Sequence, residues 1–234
     1  MGENEQGGML RVVTVIGLVA IIAAILISSM FILKHNNHVI TADTRNNLVR
    51  ANALADEVAD DYSKTNYTYT FDDTSGTATL KGVVSAAAVP KDIVLPSYVV
   101  KDGTKYSVTR LGGRAFYGIP LVSVAVPNTV TAIDWSVFEY SHVETVILGD
   151  NITDIGGYAF ASCRISTLIL PSKLQNIQMF AFKANNITDI RIPDSVKSIG
   201  PSAFYMNELQ MVYVPTTANV DAKAFDSGVD VEKS

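Results

Sequence analysis

Hydrophobic and polar positions in the second half of the chain recur at a fixed step of 22 residues. Leu121, Val143, Ile165, Ile187 and Leu209 fall in one column, and Val126, Leu148, Leu170, Ile192 and Val214 in another. The residue after that is Pro127, Gly149, Pro171, Pro193 or Pro215. Ile133, Ile155, Ile177 and Ile199 follow, then Phe138, Phe160, Phe182 and Phe204. Phe116 stands one step earlier, and Phe225 comes one residue early in a shortened last copy. A fixed period of about 20–29 residues marks a solenoid in which each unit is one coil of the chain. Within a coil, residues 121–127 alternate, which turns Leu121, Val124 and Val126 inward and Ser123 and Ala125 outward. Proline then ends the strand, because it has no N–H to give to a ladder. A second extended piece, Thr131-Ala132-Ile133, leads to a tight turn that often contains glycine (Gly112, Gly156, Gly200). The Ala-Phe pair beyond it sets a small residue beside a large plug. Stacked coils therefore predict a continuous file of phenylalanines that one coil could not bury alone.

Ahead of the array the period changes. Tyr67, Tyr69 and Phe71 alternate with threonine, Asp72-Asp73-Thr74-Ser75-Gly76 reads as a turn, and Ala78 and Leu80 lie on a return strand. This hairpin, within residues 66–91, is expected to cap the open end of the solenoid, which occupies 92–229. The first coil, around residues 95–112, carries about nine extra residues, expected as a loop near 99–105. Residues 230–234 read as a charged tail without a dedicated cap. Further upstream, Leu48, Ala51, Ala55, Val58 and Tyr62 recur at spacings of three and four, which predicts a helical stalk within 34–65. Residues 12–33 hold 22 positions without a charge, about 33 Å of helix and enough for a single membrane span. Residues 1–11 form a short polar tail. The lack of a good small-x-small cleavage site favours an anchor that stays uncleaved.

Composition narrows the chemistry. The formal charge of −5 lies wholly after residue 40, where no Lys/Arg cluster is found, so nucleic acid is not an expected partner. A single cysteine excludes a disulfide framework, and its repeat position makes Cys163 a small buried hydrophobe. His35 and His38 have no carboxylate or cysteine at ligand spacing, so no metal site is expected. The acidic residues Asp150, Asp154, Asp189 and Asp194 are spread along the repeats and not paired for acid–base work. The glycine pairs lack the strand–loop–helix setting of a phosphate loop. No catalytic residue, cofactor or enzyme activity is expected. On a solenoid the outward strand positions form a rigid face. One outward column reads Ser123, Thr145, Thr167, Asp189 and Met211, and the next Ala125, Ile147, Ile169, Arg191 and Tyr213. The second is more apolar than a solvated face needs, which makes Thr145, Thr167, Asp189, Met211, Ile147, Ile169, Arg191 and Tyr213 the candidate binding face.

The unit L-x-x-v-x-v-P-x-x-v-x-x-I-g-x-x-A-F, with Phe160-Ala161-Ser162-Cys163 keeping an F-x-x-C ending, resembles the leucine-rich repeat of bacterial surface antigens, the BspA-like family. The resemblance covers about residues 66–229 and implies a right-handed, mainly β solenoid with a surface or binding role. Counting Lys and Arg beside residues 12–33 gives Arg11 against Lys34, Arg45 and Arg50, a mild lean toward a cytoplasmic repeat domain. The resemblance leans toward export, and an extracytoplasmic repeat domain is the expectation. The first functional reading is a membrane-anchored, surface-displayed module that binds a protein or glycan partner, with the helix available for self-association. The alternative is a pilin-like subunit. Gly8-Met9-Leu10 ahead of a hydrophobic helix is similar to type IV prepilins, but Val13 stands where that family has glutamate and the leader is acidic.

Overall fold

The computed structural model describes residues 59–233. The first named strand, β1 (Ala59–Asp61), is followed by the hairpin β2 (Tyr67–Asp72) and β3 (Thr77–Val83), which pair antiparallel with a bulge between Thr68 and Tyr69. Three further strands, β4 (Asp92–Val94), β5 (Tyr98–Lys101) and β6 (Thr104–Leu111), complete the entrance to the array. Each coil then contributes two short pieces. One set is β7 (Ser123–Ala125), β9 (Thr145–Ile147) and β13 (Met211–Val214), in two separate small sheets that isolated bridges Thr145–Thr167 and Arg191–Tyr213 each extend by one coil. The other is β8 (Ala132–Ile133), β10 (Asp154–Ile155), β11 (Asn176–Ile177), β12 (Ser198–Ile199) and β14 (Asn219–Val220). The last strand is β15 (Asp230–Lys233), parallel to β13.

The registers carry the sequence period into space. Ser123 faces Thr145, and Asp154 faces Asn176, each partner 22 residues on. The last coil is tighter, with Ser198 facing Asn219. Phenylalanine follows the same file. Ring centroids of Phe116, Phe138, Phe160, Phe182, Phe204 and Phe225 lie 5.1–5.4 Å apart in near-parallel pairs. The first five rings are fully buried and Phe225 is 8% exposed. At the other end Tyr67 of β2 sets its ring edge against Phe116, 6.0 Å between centroids. The expected hairpin cap is present, and Leu80 and Ala78 of β3 pair in parallel with Leu111 and Val108 of β6.

Three features differ from expectation. The predicted helix through residue 64 gives way at Ala59, because β1 adds an edge to β5, Asp60 beside Val99 and Asp61 beside Val100. Here the Asp60 carboxylate accepts hydrogen bonds from the Tyr69 and Thr65 hydroxyls. The insertion near 99–105 is a hairpin, not a loop; Asp102 and Gly103 adopt φ of 50° and 79°, the pair of left-handed residues that a two-residue hairpin turn requires. Residues 230–233 of the expected tail form a further rung. The turn glycines Gly112, Gly156 and Gly200 do not take positive φ. A Cβ on Gly156 would come 2.5 Å from the Asp134 carbonyl carbon, so glycine lets one coil settle on the next.

Positive φ falls instead on Arg114, Ser136, Tyr158, Phe180 and Ser202, two residues before each phenylalanine, and on Tyr140, Ser162, Ala184 and Met206 two residues after it. A left-handed residue with a side chain costs about 1 kcal/mol or more. The coil-to-coil ladder offsets that cost: the amide of Phe138 donates to Ala159 O at 2.7 Å, Phe160 to Ala181 O at 2.8 Å, and Phe182 to Ala203 O at 2.8 Å. Among the described residues no helix is long and apolar enough to cross a membrane. The expected span at 12–33, and the stalk up to residue 58, lie outside them.

Candidate functional site

The outward strand columns divide into two halves. Ala125 is 2% exposed and Ile147 1%, so the expected apolar ridge is closed to solvent where it begins. Neither residue belongs to the continuous core behind the strands. Ile169 is half-buried, and only Arg191 and Tyr213 stand out into solvent, Tyr213 at 51%. The physical reason lies in the side chains. Short aliphatic groups on a pleated surface gain by leaving water, whereas Arg and Tyr carry a polar end outward on an apolar stem. The neighbouring column follows the same trend: Ser123, Thr145 and Thr167 are partly buried, Asp189 and Met211 exposed.

The structure thus brings four of the eight candidate residues together on one exposed stretch: Asp189, Arg191, Met211 and Tyr213. Arg191 and Tyr213 are register partners on adjacent coils. Sequence reasoning stopped there, but β15 extends both columns, placing Asp230 beside Met211 and Glu232 beside Tyr213. Both acids are exposed. Two apolar side chains are therefore bordered by Asp189, Arg191, Asp230 and Glu232.

A second feature lies on the other sheet. Along β8, β10 and β11 one column reads Arg110, Ala132, Asp154, Asn176, and the next alternates glycine with larger residues, Gly112, Asp134, Gly156, Gln178. Where Ala132 and Gly156 meet, a cavity of about 280 Å3 opens, walled by Asp134, Trp135, Asp154, Gln178 and Arg110. Trp135 is 53% exposed and lies over Gly113, where a Cβ would come within 2.6 Å of the indole nitrogen. The Arg114 guanidinium sits 4.7 Å from the Trp135 ring centre. Arg110 is ion-paired to Asp134. The Asp154 carboxylate accepts from Asn176 Nδ2 at 2.7 Å and from Thr153 Oγ1 at 2.6 Å. The sequence shows this alternation of glycine and larger residues down the single column from Gly112 to Gln178.

The turn after each phenylalanine holds polar groups with a structural task. Asn185 accepts from Ile165 N at 3.0 Å and donates to Phe160 O at 2.8 Å and Phe182 O at 3.1 Å. Asn207 repeats this pattern one coil on, donating to Phe182 O and Phe204 O. Cys163 occupies the equivalent place one coil earlier, its Sγ 3.1 Å from Phe138 O. Burial pushes its thiol up to about 11, so it carries no thiolate at neutral pH. Among the described residues no group of three or more His, Cys, Asp or Glu side chains converges.

Comparison with known proteins agrees with the coil geometry. A model of the BspA type leucine rich repeat region matches residues 109–231 in six copies. A leucine-rich repeat protein of T. pallidum superposes with a TM-score of 0.50 at 24% identity, covering 64% of this chain and 69% of its own. A leucine-rich repeat protein from Bacteroides capillosus gives 0.40 at 20% identity, over 72% of this chain and 94% of its own. A leucine-rich cell surface protein from Faecalibacterium prausnitzii gives 0.39 at 21%, over 64% and 53%. No curated protein matches the chain.

Proposed function

The chain belongs to the BspA-type leucine-rich repeat family, and on that premise we propose that it is a membrane-anchored, surface-displayed interaction module. Residues 12–33 hold it to the membrane, the repeat domain faces out of the cell, and a protein partner docks on the outward strand face. The observation that carries this reading is the exposed patch of Asp189, Arg191, Met211 and Tyr213 at the end of an otherwise rigid array. Tyr and Arg are enriched at binding hot spots, because each combines a large apolar area with a polar end. A face fixed by coil-to-coil hydrogen bonds loses little conformational freedom on association. The rim acids Asp230 and Glu232 set a charge pattern that a basic partner surface complements.

The test has two arms. Intact cells expressing the full chain are treated with protease, and cleavage beyond residue 66 is expected only if the repeats are outside. Adhesion of the same cells to surface-bound protein ligands is then measured for Tyr213→Ala and Arg191→Ala. Each should weaken adhesion by about 1–2 kcal/mol, a five- to thirty-fold loss, with unchanged folding. Lys substitutions at Asp150 and Asp194, both in turns after the strand, serve as controls. If the turn variants abolish adhesion while the patch variants are silent, the strand-face assignment is wrong.

A further inference from the structure

Resting on the protein-docking reading of the outward strand face, we infer that the free edge of β15 takes an extended, basic segment of the partner protein, which joins the array as one more strand.

β15 (Asp230–Lys233) lies parallel to β13, and among the described residues it pairs with no other strand. The Asp230 N–H donates to Gln210 O at 2.8 Å, which turns the backbone of that residue toward β13. Backbone groups alternate in direction along a strand, so Glu232 also faces β13. The N–H and C=O groups of Val231 and Lys233 then point away from it. They form the open row of an edge strand, onto which a further extended chain can pair. All four residues of β15 are exposed, Val231 at 40%.

The side chains select among occupants. Asp230 and Glu232 continue the outward columns beside Met211 and Tyr213, while Val231 and Lys233 fall on the inward side beside Val212 and Val214. Neither carboxylate has an ion pair or a side-chain hydrogen bond among the described residues. Lys233 is engaged, its Nζ donating to Ala218 O at 3.1 Å. A strand laid on this edge in either direction sets one side chain opposite Val231 and the two flanking ones opposite Asp230 and Glu232. The complementary pattern is cation, apolar, cation, because opposite charges directly across two strands stabilise the pair and like charges destabilise it. The same rule disfavours a second copy of the chain. Antiparallel pairing of two β15 strands about Val231 brings Asp230 against Glu232 of the copy, twice. Head-to-tail stacking carries Asp92 of β4 into the column of Asp230, again acid on acid. An anionic lipid surface meets the same two carboxylates.

The probe is a fluorescein-labelled decapeptide of alternating arginine and valine, titrated with the full chain in detergent at low salt and followed by anisotropy. A second decapeptide has glutamate in place of arginine. A third keeps arginine but is methylated at every backbone nitrogen, which removes its N–H donors and leaves its charge. Saturable binding is expected for the first peptide, tenfold or more weaker for the other two. Asp230→Lys combined with Glu232→Lys should reverse the preference between arginine and glutamate peptides. Val231→Pro removes an N–H that points away from β13, leaves the internal ladder whole and should weaken the arginine peptide tenfold or more. If that variant melts more than a few degrees below the parent, the methylated peptide decides in its place. The proposal is overturned if the arginine peptide does not saturate, or if the methylated peptide binds equally well, which is docking by charge alone. It is also overturned if the chain by itself forms a dimer that Val231→Pro dissolves. Adhesion lost in Tyr213→Ala but kept in Val231→Pro would leave the patch standing and remove the added strand; adhesion kept in both removes the patch as well.

Discussion

Phe160→Ala removes the middle plug of the stack. The ring is fully buried and faces Phe138 at 5.1 Å and Phe182 at 5.3 Å. Truncation of a buried phenylalanine costs about 3–5 kcal/mol through lost transfer energy and the cavity left behind. With coils pinned on both sides by the ladder, the gap cannot collapse, which places this site near the upper end, about 4–5 kcal/mol. Phe225 has one stacked neighbour, Phe204 at 5.4 Å, is 8% exposed and lies in the shortened last coil. There the chain can relax into the space, and the loss should be about 2–3 kcal/mol. Phe116 also stands at an end of the file, but Tyr67 closes on it edge-on, so Phe116→Ala should behave like the middle site. The assay is urea denaturation of the full chain followed by circular dichroism, with stabilities compared at constant slope. Losses within about 0.5 kcal/mol of each other at Phe160 and Phe225 would refute a one-dimensional stack with a weak C-terminal end.

Asn185→Ala strips the buried Ile165 N–H and the Phe160 carbonyl of their partner, while Phe182 O keeps Asn207, and should cost about 2–3 kcal/mol in the same assay. Asn185→Cys should recover part of this, because Cys163 fills the equivalent place one coil earlier. Cys163 itself should resist iodoacetamide at pH 8 until the chain is unfolded. Its raised thiol also predicts a pH effect. The stability contribution of the neutral form is full below about 9 and is lost as pH rises through about 11, a loss that Cys163→Ser removes. Asp60 behaves alike at the acid end: burial raises its carboxyl, so its contribution is largest below the ordinary aspartate range and declines as pH rises through the raised value. Asp60→Asn should flatten that slope in pH-dependent melts.

The repeat was legible because the same physical demand recurs at every coil. Phe138, Phe160, Phe182 and Phe204 must each meet the next, so composition at those columns cannot drift. Features made once were harder. The β5–β6 hairpin has its Asp102-Gly103 signal in plain view, but nine extra residues inside a repeat read naturally as a loop. β1 and β15 gain their strand character only from a neighbour, Tyr98–Val100 for one and β13 for the other. The left-handed turn residues carried no signal, since the ladder on both sides imposes the conformation on Arg114, Tyr158 or Phe180 alike. Of the candidate face, residue identity was readable but solvent access was not. Ile147 and Arg191 occupy equivalent positions, yet one is closed to solvent and the other open.

That separation bears on how the molecule presents itself. Described structure begins at β1, which lies beside β5 at the first coil, and over β7 and β9 one outward column is closed and the other partly buried. Both open from Asp189 and Arg191 onward. Parallel rungs are about 4.8 Å apart, so the Met211–Tyr213 rung stands roughly 24 Å further along the array than β4. A chain anchored through residues 12–33, as proposed, enters at one end of the solenoid and offers its polar, exposed strand positions at the other. Substitutions there touch neither the phenylalanine file nor the asparagine bonds behind it. Affinity at the patch can therefore change while the stack keeps its stability, an independence expected of residues with no shared partners. The cavity at Trp135 lacks that freedom. Its floor is Gly156, and any side chain there would strike the backbone of the preceding coil at 2.5 Å, so its shape is tied to the packing itself.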